Sequence, residues 1–241
     1  MNIRFTGIFL ILSCYILAET DHPRLALQFF KEGKFKEARN HSWTAISDSL
    51  PETVDKNVLS VYVLTENNIS KLHEVLSKIY AKRDSLPENF YDQVYAILER
   101  SLVANDMQTG LYWGTRFKKE ARAEKNYARG LYLYSCILAE SGRLKEGLYV
   151  AKEAMGLHPE KKLEEKLRLF RISNIDKAQI PPKEAEDFLN LFPGSEFSDR
   201  VLHKLIRHYE DNGESKKLEY WKEEFKKNFT DSPLYKKIFE S

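Results

Sequence analysis

The chain is poor in the residues that build tight turns and disulfides, and neither sign of charge is in excess. Its 241 residues include only 10 glycines, 8 prolines and 2 cysteines. So few Gly-Pro turns argue against a β-sandwich or a β-barrel. Basic and acidic side chains number 38 and 36, so the chain lacks the basic surplus of a general nucleic-acid-binding protein. What is present, 42% hydrophobic and 31% charged residues, is typical of long solvated helices around an apolar core.

The first twenty residues differ in character from the rest of the chain. Arg4 precedes an almost wholly apolar run from Ile8 to Ala18, and polar residues follow it. Because a membrane span takes about 20 apolar residues, this run is short for one. The pattern predicts a signal peptide over residues 1–18 that is cut after Ala18, with a buried first helix as the alternative.

A second interpretation of the leader concerns lipidation. The stretch "ILSC", residues 11–14, resembles a bacterial lipobox, in which Cys14 would be the acylated residue. Simple secretion is favoured, since the residues after Cys14 are unusually apolar for a lipoprotein. Once the leader is removed, Cys136 is the only cysteine and no internal disulfide can form. Its apolar neighbours favour a small core side chain over a reactive thiol.

One pattern recurs about a hundred residues apart, after Gly33 and after Gly142. An apolar residue at +2 begins a helix, small residues at +5 and +12 let a neighbouring helix approach, and a proline ends the helix. An apolar-periodic helix precedes each glycine, so each unit is helix, tight turn, helix. The matching residues are Phe35, Ala38, Ala45 and Pro51 in the first copy, and Leu144, Gly147, Ala154 and Pro159 in the second.

The same unit continues along the chain with less regular turns. Turns are predicted at positions 33, 67, 105, 142, 176 and 213, which are 34 to 38 residues apart. The unit that turns near Asp176 has its second helix starting at Pro181-Pro182, since proline suits the first helical turn. After it, Pro193 should stop that helix, and Ser195 or Ser198 should cap the next.

This pattern resembles the tetratricopeptide repeat, a unit of about 34 residues. The stretch "GRLKEGLYVAKEAMGLHP", residues 142–159, is the best match, and "EGKFKEARNHSWTAI", residues 32–46, follows it. The stretch "LFPGSEFSDRVLHKL", residues 191–205, is similar to the punctuation of bacterial periplasmic proteins of this family. The resemblance implies an all-α fold over residues 19–241, a right-handed solenoid of about six antiparallel helical hairpins.

The sequence carries no catalytic motif. None of the six histidines forms a His-x-x-x-His pair, and there is no phosphate-binding glycine loop, nucleophile elbow or Cys-x-x-Cys. Carboxylates lie in mixed runs such as "WKEEFKK", residues 221–227, which are typical of solvated helix faces. A carboxylate pair assembled across repeats stays open. We therefore predict a protein that is not an enzyme and that uses no cofactor or metal.

The family resemblance also places a binding surface. In such arrays the first helix of each unit lines a concave groove. The family phase assigns to this groove Tyr95, Glu99, Arg129, Tyr132, His203 and Arg207. Such side chains hold an extended peptide through stacking and charge-assisted hydrogen bonds. The clamp that some family members use for terminal carboxylates is not visible, since Cys136 occupies a position where it needs an amide.

These observations predict an exported, non-enzymatic protein-protein interaction scaffold of a bacterial cell envelope, periplasmic or secreted. Its partner would be a protein or peptide segment, not a nucleic acid. Two alternatives remain at this point. One is a lipid-anchored outer-membrane assembly factor held through Cys14, and the other is an enzyme, or a non-catalytic subunit of an enzyme complex, in the envelope.

Overall fold

The computed structural model describes residues 21–49, 54–82, 86–174 and 182–240, which form helices and turns without a strand. The all-α prediction is therefore confirmed for these residues. The chain divides into two compact units, Met1–Ile97 and Leu98–Ser241. The predicted signal peptide, Cys14 and the predicted turn near Asp176 lie outside the described residues.

Thirteen helices are present in the described part of the chain. The first unit contains α1 (His22–Lys31), α2 (Phe35–Ser49), α3 (Lys56–Thr65) and α4 (Ile69–Tyr80), and α5 (Phe90–Val103) runs across the boundary. The second unit contains α6 (Met107–Glu120), α7 (Tyr127–Glu140), α8 (Leu144–Met155), α9 (Lys161–Ser173), α10 (Lys183–Leu191), α11 (Ser198–Asp211), α12 (Ser215–Asn228) and α13 (Tyr235–Phe239).

The predicted turns that can be seen lie between consecutive helices. Three of these turns contain a glycine in the left-handed region, which residues with a side chain rarely adopt. The φ angles are 74° at Gly33, 78° at Gly142 and 68° at Gly213. Asn105 takes φ of 57° at the equivalent place between α5 and α6, and asparagine is among the few other residues that tolerate it. Asn67 lies between α3 and α4. Glycine spacing was thus a sound guide to where these helices end.

In the first unit, α1 packs against α2, and α2 against α3. Helix α1 begins after Asp21, whose carboxylate accepts a hydrogen bond from the backbone N–H of Arg24. The contact is centred on small residues, since Ala26 and Ala38 are completely buried beside Val61. The small residue predicted at +5 from Gly33 therefore lies in a helix interface, as its spacing indicated.

In the second unit, α6 and α7 fit through two reciprocal contacts. The ring of Tyr134 on α7 lies against Gly114 on α6, so close that a Cβ at Gly114 would overlap it. The ring of Phe117 on α6 lies against Gly130 on α7 in the same way. Each helix therefore supplies one glycine and one aromatic ring to the interface.

Helices α7 and α8 also meet at a glycine, and here the neighbouring atom belongs to the backbone. A Cβ built on Gly147 would lie 2.6 Å from the carbonyl oxygen of Ser135 and 3.4 Å from Cβ of Leu138. The close approach of helices predicted at this position is confirmed, and the obstacle to a side chain is backbone that cannot rotate away. The two helices can approach this closely only because Gly147 has no side chain.

Helices α9 to α12 share a second core, in which Phe188, Tyr209 and Phe225 are completely buried. Phe225 lies on α12, and Trp221 and Phe229, four residues before and after it, pack against the same cluster. A bidentate ion pair between Arg171 and Glu184 joins α9 to α10 beside this core.

The ends of α10 and α11 agree in part with the sequence. Helix α10 begins after Pro182 and ends at Leu191, ahead of Pro193, as predicted. The start of α11 differs, since its N-cap residue is Phe197, and neither Ser195 nor Ser198 accepts a hydrogen bond from an N–H group within the helix. Ser195 instead accepts from the N–H of Phe197, and Ser198 donates to the carbonyl oxygen of Phe192. Both serines fold the linker rather than cap the helix.

None of the helices in the described ranges combines the length and the apolar character that crossing a bilayer requires.

Candidate functional site

A large cavity of the second unit lies along α7, α9 and α11, which alternate in the chain with α8 and α10. Its volume is about 1010 Å³. A second cavity of about 540 Å³ continues it past α11 toward the segment before α13. The two adjoin at Glu196, Arg200 and Lys204, which line both, and together we call them the α7/α9/α11 groove.

The floor of this groove is apolar. Ile172 and Val201 are buried and belong to the second core, whereas the rest of the floor is half-buried and open to a ligand. The half-buried floor residues are Leu144, Leu169, Phe170 and Phe197. Aliphatic and aromatic side chains of a partner would lose contact with water here, which is the dominant favourable contribution in most protein associations.

The rim of the groove is charged. Lys166, Arg200 and Lys204 supply positive charge, and Glu140 and Glu196 supply negative charge. Nζ of Lys204 donates to the carbonyl oxygen of Ser173 at 2.8 Å. The guanidinium of Arg200 lies 5.8 Å from the ring centroid of Phe197, within reach of a cation–π contact. An apolar floor between charged edges offers both contact area and direction to a bound segment.

Tyr132 and Cys136 lie one helical turn apart on α7, with Tyr132 in the wall of the groove. Burial, and then the neighbouring Cys136, raise the pKa of the Tyr132 phenol, so it is a neutral hydrogen-bonding group. Burial also raises the pKa of the half-buried Cys136 thiol, although Tyr132, Ser135 and Lys166 act in the opposite direction. A protonated thiol is a poor nucleophile, so Cys136 is not poised for covalent chemistry.

We expect Cys136 in the folded protein to react with iodoacetamide several-fold more slowly than free cysteine at neutral pH. A raised pKa leaves less thiolate at neutral pH, which slows alkylation. The alkylation rate should still increase with pH above the ordinary pKa range of a thiol. Peptide mass spectrometry after timed alkylation measures this for Cys136 alone, and guanidinium-unfolded protein is the control. Alkylation of the folded protein at the unfolded rate would contradict the half-buried placement of Cys136.

His203 of α11 lines the second cavity together with Lys237. Burial, and then the positive charges of Arg207 and Lys237, lower the pKa of its imidazole, while Asp199 and Glu210 oppose them. His203 is therefore neutral near pH 7 and offers one donor and one acceptor rather than a charge. Arg207 is exposed and lies 3.5 Å from Glu210 on its own helix.

The structure brings together only some of the residues predicted for the groove. Tyr132 and His203 line its two cavities. Arg129 lies exposed on the same helix as Tyr132 and forms an ion pair with Glu160. Tyr95 is half-buried and Glu99 exposed on α5, and neither lines the cavities described above.

Sequence reasoning missed the residues of α9 and the two basic residues of α11. Lys166 and Phe170 are four residues apart on α9, and Arg200 and Lys204 are four apart on α11. Residues at this spacing share a helix face, so the signal was present. Helix α9 belongs to the predicted fifth unit, whose turn near Asp176 has no glycine to fix the phase of the helix.

Within the described ranges, no group of three or more His, Cys, Asp or Glu side chains could hold a metal ion. Comparison with models of protein families, with curated proteins and with solved structures finds no match to this chain.

Proposed function

We propose that the chain is an exported, non-enzymatic scaffold that binds an extended segment of another protein along the α7/α9/α11 groove. The observation that carries this proposal is the groove itself, an apolar floor of four half-buried side chains between charged rims. At about 1010 Å³ it is at the upper end of small-molecule pockets, and the second cavity extends it further. Such a channel suits a peptide chain better than a compact metabolite.

The alternation of its helices supports the repeat interpretation. Helices α7, α9 and α11 are the first helices of the predicted fourth, fifth and sixth units, and the α7–α9 and α9–α11 pairs are in contact. In a solenoid of antiparallel hairpins these are the helices that line the concave side. We extend this to the whole array, a right-handed solenoid of about six tetratricopeptide-like hairpins in a bacterial cell envelope. Release by cleavage after Ala18 is the favoured route, and anchoring through Cys14 is the alternative.

A photo-crosslinking amino acid at Phe170 tests the groove. Because this side chain is half-buried in the floor, we expect it to capture discrete protein adducts in extracts of the native cell envelope. The same amino acid at Leu191, an exposed residue of α10 outside the groove, is the matched control. Equal adducts from both positions would contradict a groove-specific partner.

Reversal of the rim charge gives the second arm of this test. Arg200→Glu combined with Lys204→Glu should lower the yield of adducts from the Phe170 position by about tenfold or more, since like charges opposed across an interface cost several kcal/mol. Arg200 is exposed and Lys204 half-buried, so we expect an unchanged helical circular dichroism signal. An unaltered adduct yield in the folded double variant would show that the segment binds elsewhere.

A further inference from the structure

A small cavity in the first unit has the character of a binding site for an organic cation. It has a volume of about 310 Å³ and lies between α2, α3 and α4. Trp43 and Tyr62 form its aromatic wall, with ring centroids 5.8 Å apart and planes inclined by 32°. Tyr62 is buried, whereas 38% of Trp43 is exposed. The cavity is thus open to solvent at the indole and suits a group of a few heavy atoms.

Two carboxylates line the same space. Glu66 is buried, accepts a hydrogen bond from the N–H of Asn68 at 2.9 Å and lies 3.8 Å from the guanidinium of Arg39. Glu74 is exposed on α4. Burial, and then the negative charges of Glu66 and Glu74, raise the pKa of the Tyr62 phenol to about 12. Both carboxylates therefore act on the space beside the phenol.

The chain places an ammonium group of its own in this arrangement. Nζ of Lys78 lies 6.0 Å from the ring centroid of Trp43 while it donates to Glu74 at 2.6 Å. The side chains of Lys78 and Glu74 are 48% and 57% exposed, and exposed pairs one turn apart on a helix contribute little to stability. An incoming cation can therefore replace Lys78 at the indole and at Glu74 with little loss.

We propose that this cavity binds the alkylammonium group of a small molecule, with its alkyl groups against Trp43 and Tyr62 and its charge beside Glu74. The faces of aromatic rings attract ammonium ions, most strongly at tryptophan. Arg39 neutralises the charge of Glu66, so Glu74 is the carboxylate that would pair with the positive charge of the ligand. Lys71 at the exposed edge opposes a cation, so we expect weak binding rather than tight capture.

Choline is a suitable probe, because 3,3-dimethylbutan-1-ol has the same shape without the charge. The chain has three tryptophans, so the NMR spectrum of the ¹⁵N-labelled protein should contain three indole N–H signals, and Trp43→Leu identifies one of them. We expect choline chloride to shift the Trp43 signal saturably. Neither the neutral alcohol nor sodium chloride at equal ionic strength should do so. Absence of a saturable shift, or an equal shift with the alcohol, would overturn the proposal.

Two variants separate this site from a general salt effect. Lys78→Gln removes the competing ammonium and should lower the Kd for choline about twofold to fivefold. Glu74→Gln should raise the Kd, and Lys36→Gln, an exposed lysine of α2 outside the cavity, should leave it unchanged. A Kd that is the same in all three variants would overturn the assignment. Since the cavity lies in the first unit, either outcome is independent of partner binding in the groove.

Discussion

Gly147→Leu destabilises the second unit by about 3 kcal/mol or more, the upper range for an overpacked interface. The position has no room even for a Cβ, which would lie 2.6 Å from the carbonyl oxygen of Ser135. Since that oxygen belongs to the backbone of α7, relief requires the whole of α8 to move outward. Gly147→Ala gains helix propensity yet meets the same oxygen, so we expect a smaller loss of the same sign.

The measurement is thermal unfolding followed by circular dichroism, in which Gly147→Leu should lower the midpoint by about 6 to 12 °C. Gly194→Ala is the matched control, because a Cβ there meets no atom within 4 Å and the backbone is not left-handed. An unchanged midpoint for Gly147→Leu would show that α7 and α8 do not pack in this register. An equal loss in Gly194→Ala would show that glycine replacement in general, and not this contact, is responsible.

Phe188→Ala costs about 3 to 5 kcal/mol, as expected for removal of a completely buried phenylalanine. The ring packs against Phe192 with centroids 5.2 Å apart and belongs to the core that includes Ile172 and Val201. Those last two residues also line the groove, so Phe188 fills the same core on which the groove floor rests. A loss of stability here is therefore also a loss of groove shape.

Urea unfolding gives this free energy, and Leu191→Ala on the same helix is the control. Leu191 is 47% exposed, so its truncation should change the free energy of unfolding by about 0.5 kcal/mol or less. A similar cost for both variants would contradict the burial pattern of α10. A cost for Phe188→Ala near that of a surface residue would place the core of this unit elsewhere.

The local features of the fold could be predicted from the sequence because they depend on one or a few neighbouring residues. Gly33, Gly142 and Gly213 mark turns since a left-handed backbone favours glycine. Ala38 and Gly147 mark close helix contacts since their spacing from those turns fixes which face they occupy. The N-cap of α11 could not be predicted in this way, because two serines, Ser195 and Ser198, lie within reach of its first turn.

The groove and the small cavity could be predicted only in part. Tyr132 and His203 were placed by the phase of their helices, whereas Phe170 and Arg200 join them through the packing of α9 against α7 and α11. Periodicity states which face of a helix is apolar, but the crossing angle depends on the side chains that interdigitate. Trp43 and Tyr62 likewise meet from separate helices, so no short motif announces their contact.

The paired rings of α6 and α7 bear on how the groove wall is held. Tyr134 lies over Gly114 and Phe117 over Gly130, so each helix both gives and receives a ring. If α6 slid along α7 by one helical turn in either direction, Phe117 would meet Asn126 or Tyr134 in place of Gly130, and both of these residues carry a Cβ. The two helices therefore have a single register. Because Tyr132 lies two residues before Tyr134 on α7, this register also fixes the position of Tyr132 along the groove before any partner binds.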